Sequence, residues 1–189
     1  SLGCYSECVK LPGYEQNTDL SYATLLCQWH AELLKQLTMT SKPLIVGWSY
    51  GGMLAVELAE VLYEQLGLKA KVVTLAARPC FIDDPHTVFD QASALAFRNR
   101  IERNEANGLA YFLRLNSSGL DRAVIQSMKA DYRTLANSCR VLLPSLDHLY
   151  EMNVLTQWQA LKQREQLLDV YFQQDGLFFS HHFAPHHRR

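Results

Sequence analysis

The stretch KPLIVGWSYGGMLAVELAE, Lys42 to Glu60, decides how this chain folds. It opens with a short apolar run, Leu44-Ile45-Val46, and closes with apolar residues at helical spacing. Between the two lies the pattern G-x-S-x-G, with Ser49 at its centre. The stretch therefore predicts a buried strand, a tight turn that presents the Ser49 hydroxyl, and a helix that follows at once.

The turn has the composition that a catalytic serine needs. Gly47 and Gly51 stand two residues before and two residues after Ser49, so strand and helix can pass closely, and Gly52 adds room. Backbone N–H groups at the start of the helix point toward developing negative charge, and the N–H of Tyr50 would be one oxyanion donor. A serine that only caps the helix would leave the same short pattern. We favour the nucleophile and keep the capping role as the alternative.

The rest of the chain predicts an α/β fold with a mostly parallel sheet. Strand, helix and strand in succession form a βαβ unit, whose connection rule favours parallel strands. Residues 44–46 are apolar on both faces, as in a central strand. The expected elements, in chain order, are a strand at 4–9, a helix at 20–37, a strand at 44–46, a helix at 52–66, and strands at 71–76 and 167–172.

After Pro79 the pattern changes to helices with no strand signal. Asp84-Pro85 predicts a helix start, with the carboxylate as cap and the proline in the first turn. We expect a single domain over 1–189 with a helical insertion, a lid, at about 83–145. The helical patterns lie at 86–103, 105–116, 121–138 and, after Pro144, at 146–163.

The composition is that of an ordinary globular protein. Of the 189 residues, 48% are apolar and 20% are charged, which suits one domain with a sizeable core. No apolar run approaches the ~20 residues of a membrane span, no basic-aromatic pattern suggests nucleic acid, and the N-terminus lacks a signal-peptide layout. Five scattered cysteines without a C-x-x-C pair suit reduced thiols. We expect a cytoplasmic monomer, and the first residue, Ser1, suggests a piece of a longer protein.

A catalytic serine needs a histidine base and an acid that orients it. Asp175 follows the last predicted strand on the side where parallel sheets place their sites, so it is the candidate acid; a plain turn residue in Asp-Gly is the alternative. The candidate bases are His181 and His182 in the tail, which leaves no room for the usual helix and strand before the histidine. Either the base comes from this tail by an unusual route, or the usual C-terminal segment is absent.

The other histidines are assigned no catalytic role. His30 and His86 precede the candidate acid and His148 lies on a predicted helix, so we interpret all three as surface or structural. The tail histidines have spacings that metal sites use, but Pro185 disfavours a helix that would present them together. We expect no metal and no cofactor.

Several segments resemble the pimeloyl-[acyl-carrier protein] methyl ester esterases of biotin synthesis. GWSYGGMLAVELA, followed by VVTLAARPCF, resembles the serine block and the Pro-Cys-Phe block of that family. Leu11-Pro12-Gly13 resembles its upstream turn, YFLRLNSSG (111–119) resembles a lid segment, and LDVYFQQDGL resembles the acid strand. The similarity covers most of residues 5 to 177, and the first two blocks are its specific parts.

The resemblance implies an α/β-hydrolase fold with a helical lid, and a serine esterase that hydrolyses the methyl ester of pimeloyl-acyl-carrier protein. It implies Ser49 as nucleophile, Asp175 as acid and His181 as base, with His182 as the alternative. The family's N-terminal strand, and the loop that donates the second oxyanion N–H, would lie upstream of Ser1. Independently of the resemblance, Trp48 and Tyr50 beside the serine are expected to form pocket walls. Along the lid, the expected acyl-channel and neighbouring residues are Phe112, Leu113, Arg114, Leu115 and Asn116.

The charge of the chain is unevenly distributed. Residues 98–140 hold eight basic and four acidic side chains, so this segment is +4 and the remainder is −5. One explanation is a helical face exposed to solvent, with no partner. The other is a docking site for an acidic partner, which electrostatic steering would attract. Since the carrier protein is acidic, the resemblance implies that it docks here. The arginines that contact the carrier in that family do not align one for one with this chain. The basic residues near those positions are Arg103, Arg122, Lys129 and Arg133.

Two other functions stay open. A general carboxylesterase or thioesterase of the same fold would share the turn, because fold and turn do not determine the substrate. An incomplete hydrolase, inactive alone or retained as a binding module, would have the nucleophile without its base. Because the members of a triad act as a unit, the loss of the base would remove most of their catalytic effect.

Overall fold

The computed structural model describes residues 6–13, 19–38, 42–82, 90–117, 121–136 and 142–171. Helices and strands alternate in its first part, and the described elements between the second strand and the last strand are all helices. The α/β class predicted from the sequence is confirmed. The elements are α1 (Tyr22–Thr38), β1 (Leu44–Trp48), α2 (Tyr50–Leu66), β2 (Lys71–Leu75), α3 (Gln91–Arg103), α4 (Glu105–Asn116), α5 (Arg122–Ala136), α6 (Leu142–Glu151), α7 (Leu155–Gln163) and β3 (Leu167–Val170).

The three described strands form one parallel sheet in the order β1, β2, β3. Trp48 is in register with Leu75, and Leu75 is in register with Val170, so the strands end at the same edge. Helix α2 connects β1 to β2 as the crossover of a βαβ unit, as predicted. This common carboxyl edge is where a parallel sheet places a ligand or a catalytic site.

The main core lies between one face of the sheet and helices α1, α2 and α7. Met53, Leu54, Leu58 and Leu62 of α2 expose between 0% and 2% of their surface. Burying such a side chain stabilises the fold by about 1.5–3 kcal/mol relative to leaving it exposed, so this cluster fixes the helix that follows the Ser49 turn. Other members are Leu26 and Leu33 of α1, Val72 of β2, and Trp158 and Leu161 of α7.

The position of strand β1 in the sheet differs from the predicted one. Its sequence predicted a central strand, but among the described strands β1 is at the edge and pairs with β2 alone. Leu44, Val46 and Trp48, which share one face, are 64%, 58% and 70% exposed. Their apolar side chains meet no covering layer in the described part of the chain.

The single helix predicted at 146–163 is wrong, because α6 and α7 separate around Asn153. The break depends on distant partners. Asn153 pairs with Cys80 in an isolated antiparallel bridge, and the Val154 N–H donates to the Pro79 carbonyl over 2.8 Å. Helical periodicity continues across the break, which is why the local pattern did not reveal it.

Two other predicted boundaries also change. A strand was predicted at 4–9, and residues 6–9, which are the described part of it, do not form a strand. The first helix of the insertion begins after Asp90, whose side chain accepts a hydrogen bond from the Ser93 N–H over 2.7 Å and caps the helix. The cap predicted at Asp84 lies outside the described residues.

Helices α3, α4 and α6 build a second apolar cluster. Helix α3 is held to α6 by Arg98, whose guanidinium donates to both carboxylate oxygens of Asp147 over 2.6 and 3.0 Å. Leu149 of α6 packs against this cluster and against the main core. Helix α6 therefore joins the insertion to the sheet. The buried members of the cluster are Phe81, Ala94, Phe97, Ile101 and Leu146.

The described helices are short, and the longest ones, α1 and α2, have 17 residues each. Within the described ranges, no helix combines the length and the apolar character needed to cross a membrane. Three cysteines fall in these ranges, and Cys8, Cys27 and Cys80 form no disulfide.

Candidate active site

Ser49 occupies the turn between β1 and α2 with a backbone conformation that residues with a side chain seldom adopt. Its φ is 52° and its ψ is −122°, and holding a side chain in such a region costs about 1–3 kcal/mol. The Ser49 N–H donates to the Leu75 carbonyl over 2.8 Å, and the Gly52 N–H donates to the Ser49 carbonyl over 2.9 Å. The sheet and the helix therefore maintain a strained serine at the carboxyl edge.

The Ser49 hydroxyl does not cap helix α2. Ser49 is the N-cap residue by position, but its half-buried side chain makes no capping hydrogen bond. An N-cap serine stabilises a helix through that bond, so helix capping does not explain the strain. The capping alternative is wrong, and the position fits a nucleophile.

Two glycines make the turn possible, and they are not the expected pair. A Cβ on Gly47 would collide with the backbone of Gly51, and a Cβ on Gly52 would lie 2.6 Å from the Cβ of Ala77. A Cβ on Gly51 would meet no atom within 4 Å. The sequence pattern assigned the close approach to Gly47 and Gly51, whereas the packing requires Gly47 and Gly52. The reason is that Gly52, one position further along α2, faces Ala77, which lies two residues after the end of β2.

The segments that follow β2 and β3 meet at the same edge. Ala76, directly after β2, has a φ of 47°, and its N–H donates to the Val170 carbonyl over 2.9 Å. The guanidinium of Arg78 lies 4.3 Å from the ring centre of Tyr171, just past β3. These contacts hold the ends of β2 and β3 together as far as Tyr171.

The remaining members of the predicted triad lie outside the described residues. These are the acid, Asp175, and the alternative bases, His181 and His182, so their roles stay predictions. In the part of the chain that the structure describes, no cluster of three or more His, Cys, Asp or Glu side chains is arranged to hold a metal ion.

The side chain of Tyr50, which follows Ser49, is the centre of a hydrogen-bonded chain. Its hydroxyl lies 2.8 Å from the hydroxyl of Tyr22 on α1 and 2.7 Å from Nδ1 of His148 on α6. Burial lowers the pKa of His148, and the carboxylate of Glu151 opposes this in part. With Nδ1 unprotonated, the neutral His148 ring would accept a hydrogen bond from the Tyr50 hydroxyl, and the Tyr50 oxygen would accept one from the Tyr22 hydroxyl.

Sequence patterns missed this chain of contacts. We interpreted His148 as surface or structural, but it is half-buried against the residue next to Ser49. Tyr22 lies three positions before Leu25 on α1, and this spacing was a signal that its ring faces inward. No local signal pairs Tyr50 with His148, which are 98 positions apart.

A second polar pair lies between α1 and α2. Nε2 of His30 is 3.6 Å from Oε2 of Glu57, and neither atom has a hydrogen-bond partner among the described residues. Burial lowers the pKa of His30, and the nearby His148 lowers it further. Burial raises the pKa of Glu57. Burial therefore shifts the pKa of each group in the direction of its neutral form.

The predicted acyl-channel residues lie on helix α4. Phe112 stacks on Phe97 with ring centres 5.7 Å apart, Leu113 is buried, and Leu115 packs against the second cluster. Arg114 is exposed. Asn116 is the last residue of the helix. These apolar side chains belong to the core of the insertion, and their contact with an acyl chain stays a prediction.

An open groove of about 580 Å³ lies between α3 and α4. Its walls carry Arg100, Arg103 and Arg114 together with Tyr111. The guanidinium carbons of Arg100 and Arg114 lie 4.5 and 5.2 Å from the centre of the Tyr111 ring. None of the three arginines forms an ion pair with an acidic side chain of the described residues. The groove therefore presents guanidinium groups suited to an anionic ligand or surface.

A strained serine between a strand and a helix, at the carboxyl edge of a parallel sheet, is how α/β-hydrolases present their nucleophile. Comparison with protein families leads to the same class: the chain belongs to the alpha/beta hydrolase family, whose profile matches residues 2–179. Membership of this family indicates a hydrolase.

Individual relatives match less of the chain or match it more distantly. The biotin biosynthesis bifunctional protein BioHC of Teredinibacter turnerae is 33% identical over 76 residues, which are 39% of this chain and 12% of that protein. The solved structure of olei00960, a hydrolase from Oleispira antarctica, has a TM-score of 0.62 at 14% identity, over 82% of this chain and 56% of that one. Such a likeness shows the fold alone.

A third comparison is weaker. The Vlm2 thioesterase domain, solved with a bound dodecadepsipeptide, has a TM-score of 0.47 at 13% identity, over 89% of this chain and 74% of that one. A score this low supports no argument about function.

Proposed function

We propose that this chain is a serine esterase that hydrolyses the methyl ester of pimeloyl-acyl-carrier protein in biotin synthesis. The observation that carries the proposal is Ser49, which is held in a strained turn and makes no capping bond. Strain of this kind persists where the surrounding fold enforces it, and it concentrates at functional sites. The hydroxyl stands at the N-terminus of α2, where negative charge is stabilised.

The proposed reaction has two halves. The base takes the Ser49 proton as Oγ attacks the ester carbonyl, and the oxyanion accepts a hydrogen bond from the Tyr50 N–H. Collapse of this intermediate breaks the bond to the methoxy group, which leaves as methanol with the proton from the base. Water then gives a proton to the base and attacks the acyl-enzyme. The bond between Oγ and the acyl carbon breaks, the base returns the proton to Oγ, and the free carboxylate of the carrier-bound chain is released. Asp175 and His181 are the proposed acid and base, with His182 as the alternative.

The substrate part rests on sequence likeness. The serine block and the Pro-Cys-Phe block resemble esterases that act on pimeloyl-acyl-carrier protein, and one relative is named for biotin biosynthesis. The match covers 12% of that relative, so the same activity is proposed for this chain together with the resemblance of the two blocks. Phe112, Leu113 and Leu115 are the proposed lid residues along the acyl chain.

The arginine groove supports an acidic carrier as the partner. Arg100, Arg103 and Arg114 share one groove of the insertion without acidic partners among the described residues. Complementary charge of this kind raises the rate of encounter with an acidic protein and orients it. In this proposal the chain acts in the cytoplasm as a monomer, and it needs no cofactor.

Hydrolysis of two esters tests the proposal. The purified chain is given methyl pimeloyl-carrier protein and, separately, a short p-nitrophenyl ester, and products are followed by mass spectrometry. We expect kcat/KM to be more than about tenfold higher for the carrier ester, and Ser49→Ala to remove both activities. Equal preference would contradict the substrate and favour a general esterase. A folded chain inactive on both esters would contradict the enzyme and favour an incomplete hydrolase.

A further inference from the structure

We propose that Tyr22 and His148 are positioning residues that hold Tyr50, and through it the oxyanion-stabilising N–H, in place beside Ser49. The inference rests on the proposed serine-hydrolase function and adds to it a device that the G-x-S-x-G pattern does not contain. It ties the rate of acyl transfer to hydrogen bonds between three separate helices.

The geometry links α1, α2 and α6 at a single oxygen atom. The Tyr50 hydroxyl is within 2.8 Å of the Tyr22 hydroxyl and within 2.7 Å of His148 Nδ1. The His148 ring also contacts the Tyr50 ring edge-on at 5.9 Å and the Tyr22 ring at 5.8 Å. Because a phenol donates one hydrogen bond and accepts others, these two partners together hold the Tyr50 hydroxyl in one position, and with it the direction of the side chain.

The anchored residue is the one whose backbone matters most for the reaction. Tyr50 directly follows Ser49 and is the first residue of α2, so its N–H belongs to the first turn of the helix. An oxyanion donor is effective when it is held in advance at the position where charge develops. A side chain whose hydroxyl is held by two partners restrains the peptide unit that carries this N–H.

The partners of Tyr50 are themselves fixed by packing. Tyr22 is 7% exposed and packs with Leu25 against Leu142 at the start of α6. Leu149, next to His148, packs against both apolar clusters. The chain of hydrogen bonds therefore joins elements that are already in contact and does not depend on a mobile surface side chain.

The test uses Tyr22→Phe, Tyr50→Phe, His148→Ala and His148→Asn, with Tyr63→Phe as the matched control. Tyr63 lies on the same helix as Tyr50 and stacks with Arg164 far from the turn. Kinetic constants are measured with a p-nitrophenyl ester, and the rate of Ser49 labelling is measured with a fluorophosphonate. Neither probe needs the carrier protein, so an error about the substrate does not affect the result.

We expect Tyr22→Phe and Tyr50→Phe to lower kcat and the labelling rate about tenfold with KM nearly unchanged, since an oxyanion donor acts in the transition state. His148→Asn, whose amide oxygen takes the place of Nδ1, should recover part of the rate lost in His148→Ala. Tyr63→Phe should behave as wild type. Tyr22→Phe carries the test if Tyr50→Phe does not fold, because it leaves Tyr50 and His148 intact.

Three results would overturn the inference. Rates of Tyr22→Phe and Tyr50→Phe within twofold of wild type would show that the chain of hydrogen bonds does not position the donor. A raised KM with unchanged kcat would place Tyr22 in substrate binding. Complete loss of labelling in both His148 variants, equal to that of Ser49→Ala, would make His148 the base itself. A folded wild-type chain that is never labelled would instead overturn the proposed function, and this inference with it.

Discussion

Gly52 lies so close to Ala77 that a Cβ on the glycine would be 2.6 Å from the Cβ of the alanine. The contact joins the first turn of α2 to the segment after β2, and it fixes the helix start against the sheet. Atoms forced to such a distance must move, and overpacking of this kind costs about 1–3 kcal/mol. The position of Ser49 thus depends on the absence of a side chain three residues later.

Gly52→Ala should therefore lower the free energy of unfolding by about 1–3 kcal/mol. Gly51→Ala is the matched control, because its Cβ would meet no atom within 4 Å. Alanine is the better helix former, so Gly51→Ala should leave the stability unchanged or raise it by up to about 1 kcal/mol. Urea unfolding of both variants measures the difference, and equal effects would refute the close approach at Gly52.

The strain at Ser49 gives a second prediction. Glycine adopts a positive φ without the steric penalty that a Cβ suffers, so Ser49→Gly should be more stable than Ser49→Ala by about 1 kcal/mol. Both variants should lose esterase activity, because neither has a nucleophile. Urea unfolding and ester hydrolysis of the pair measure this. An alanine variant as stable as the glycine variant would contradict the strained backbone.

The buried carboxyl of Glu57 makes stability depend on pH. Burial raises its pKa above the ordinary value of 4.5, so the folded state binds the proton more tightly than the unfolded state does. Stability from this group is present below about pH 4.5 and is lost as the pH rises through the folded pKa. Glu57→Gln removes the titrating group and should stabilise the protein more at pH 8 than at pH 4.

Thermal unfolding at the two pH values checks this prediction. Glu64→Gln is the control, since Glu64 is exposed on the same helix. The pKa of His30, 3.6 Å from Glu57, is shifted in the opposite direction, below its ordinary value of 6.5. The unfolded state therefore binds the His30 proton more tightly, and the protein loses stability as the pH falls below 6.5. A gain from Glu57→Gln that is the same at both pH values would show that burial does not shift the Glu57 carboxyl.

The arginine groove predicts a salt-sensitive step. Arg100→Glu should lower kcat/KM for the carrier ester about tenfold at low ionic strength, and less at 0.5 M salt, because screening weakens the attraction. Hydrolysis of the p-nitrophenyl ester should not change. Lys69→Glu makes the same charge change at an exposed site between α2 and β2. Equal losses from the two reversals would mean that net charge, rather than the groove, attracts the carrier.

The turn at Ser49 was predictable because its determinants lie within Lys42 to Glu60 and act locally. Strand, glycine turn and helix each have a pattern that needs no distant partner, and the fold class followed from them. The requirement for Gly52 rather than Gly51 depends on Ala77, which the local pattern does not include.

Features that depend on distant partners were not predictable. The bond between Tyr50 and His148 spans 98 positions, and helical periodicity alone makes His148 look like any half-exposed helix residue. The break at Asn153 depends on its bridge to Cys80, whereas the residues around it continue the helical pattern. Tertiary contacts decide such points, and a single sequence does not show them.

The central claim is that Ser49 is a nucleophile, and covalent labelling tests it most directly. The folded chain is treated with a fluorophosphonate, the intact mass is measured, and the modified peptide is mapped. The account predicts one adduct, located on Ser49 and absent from Ser49→Ala. A folded protein that gains no adduct, or gains it on another residue while Ser49 stays free, would contradict the account.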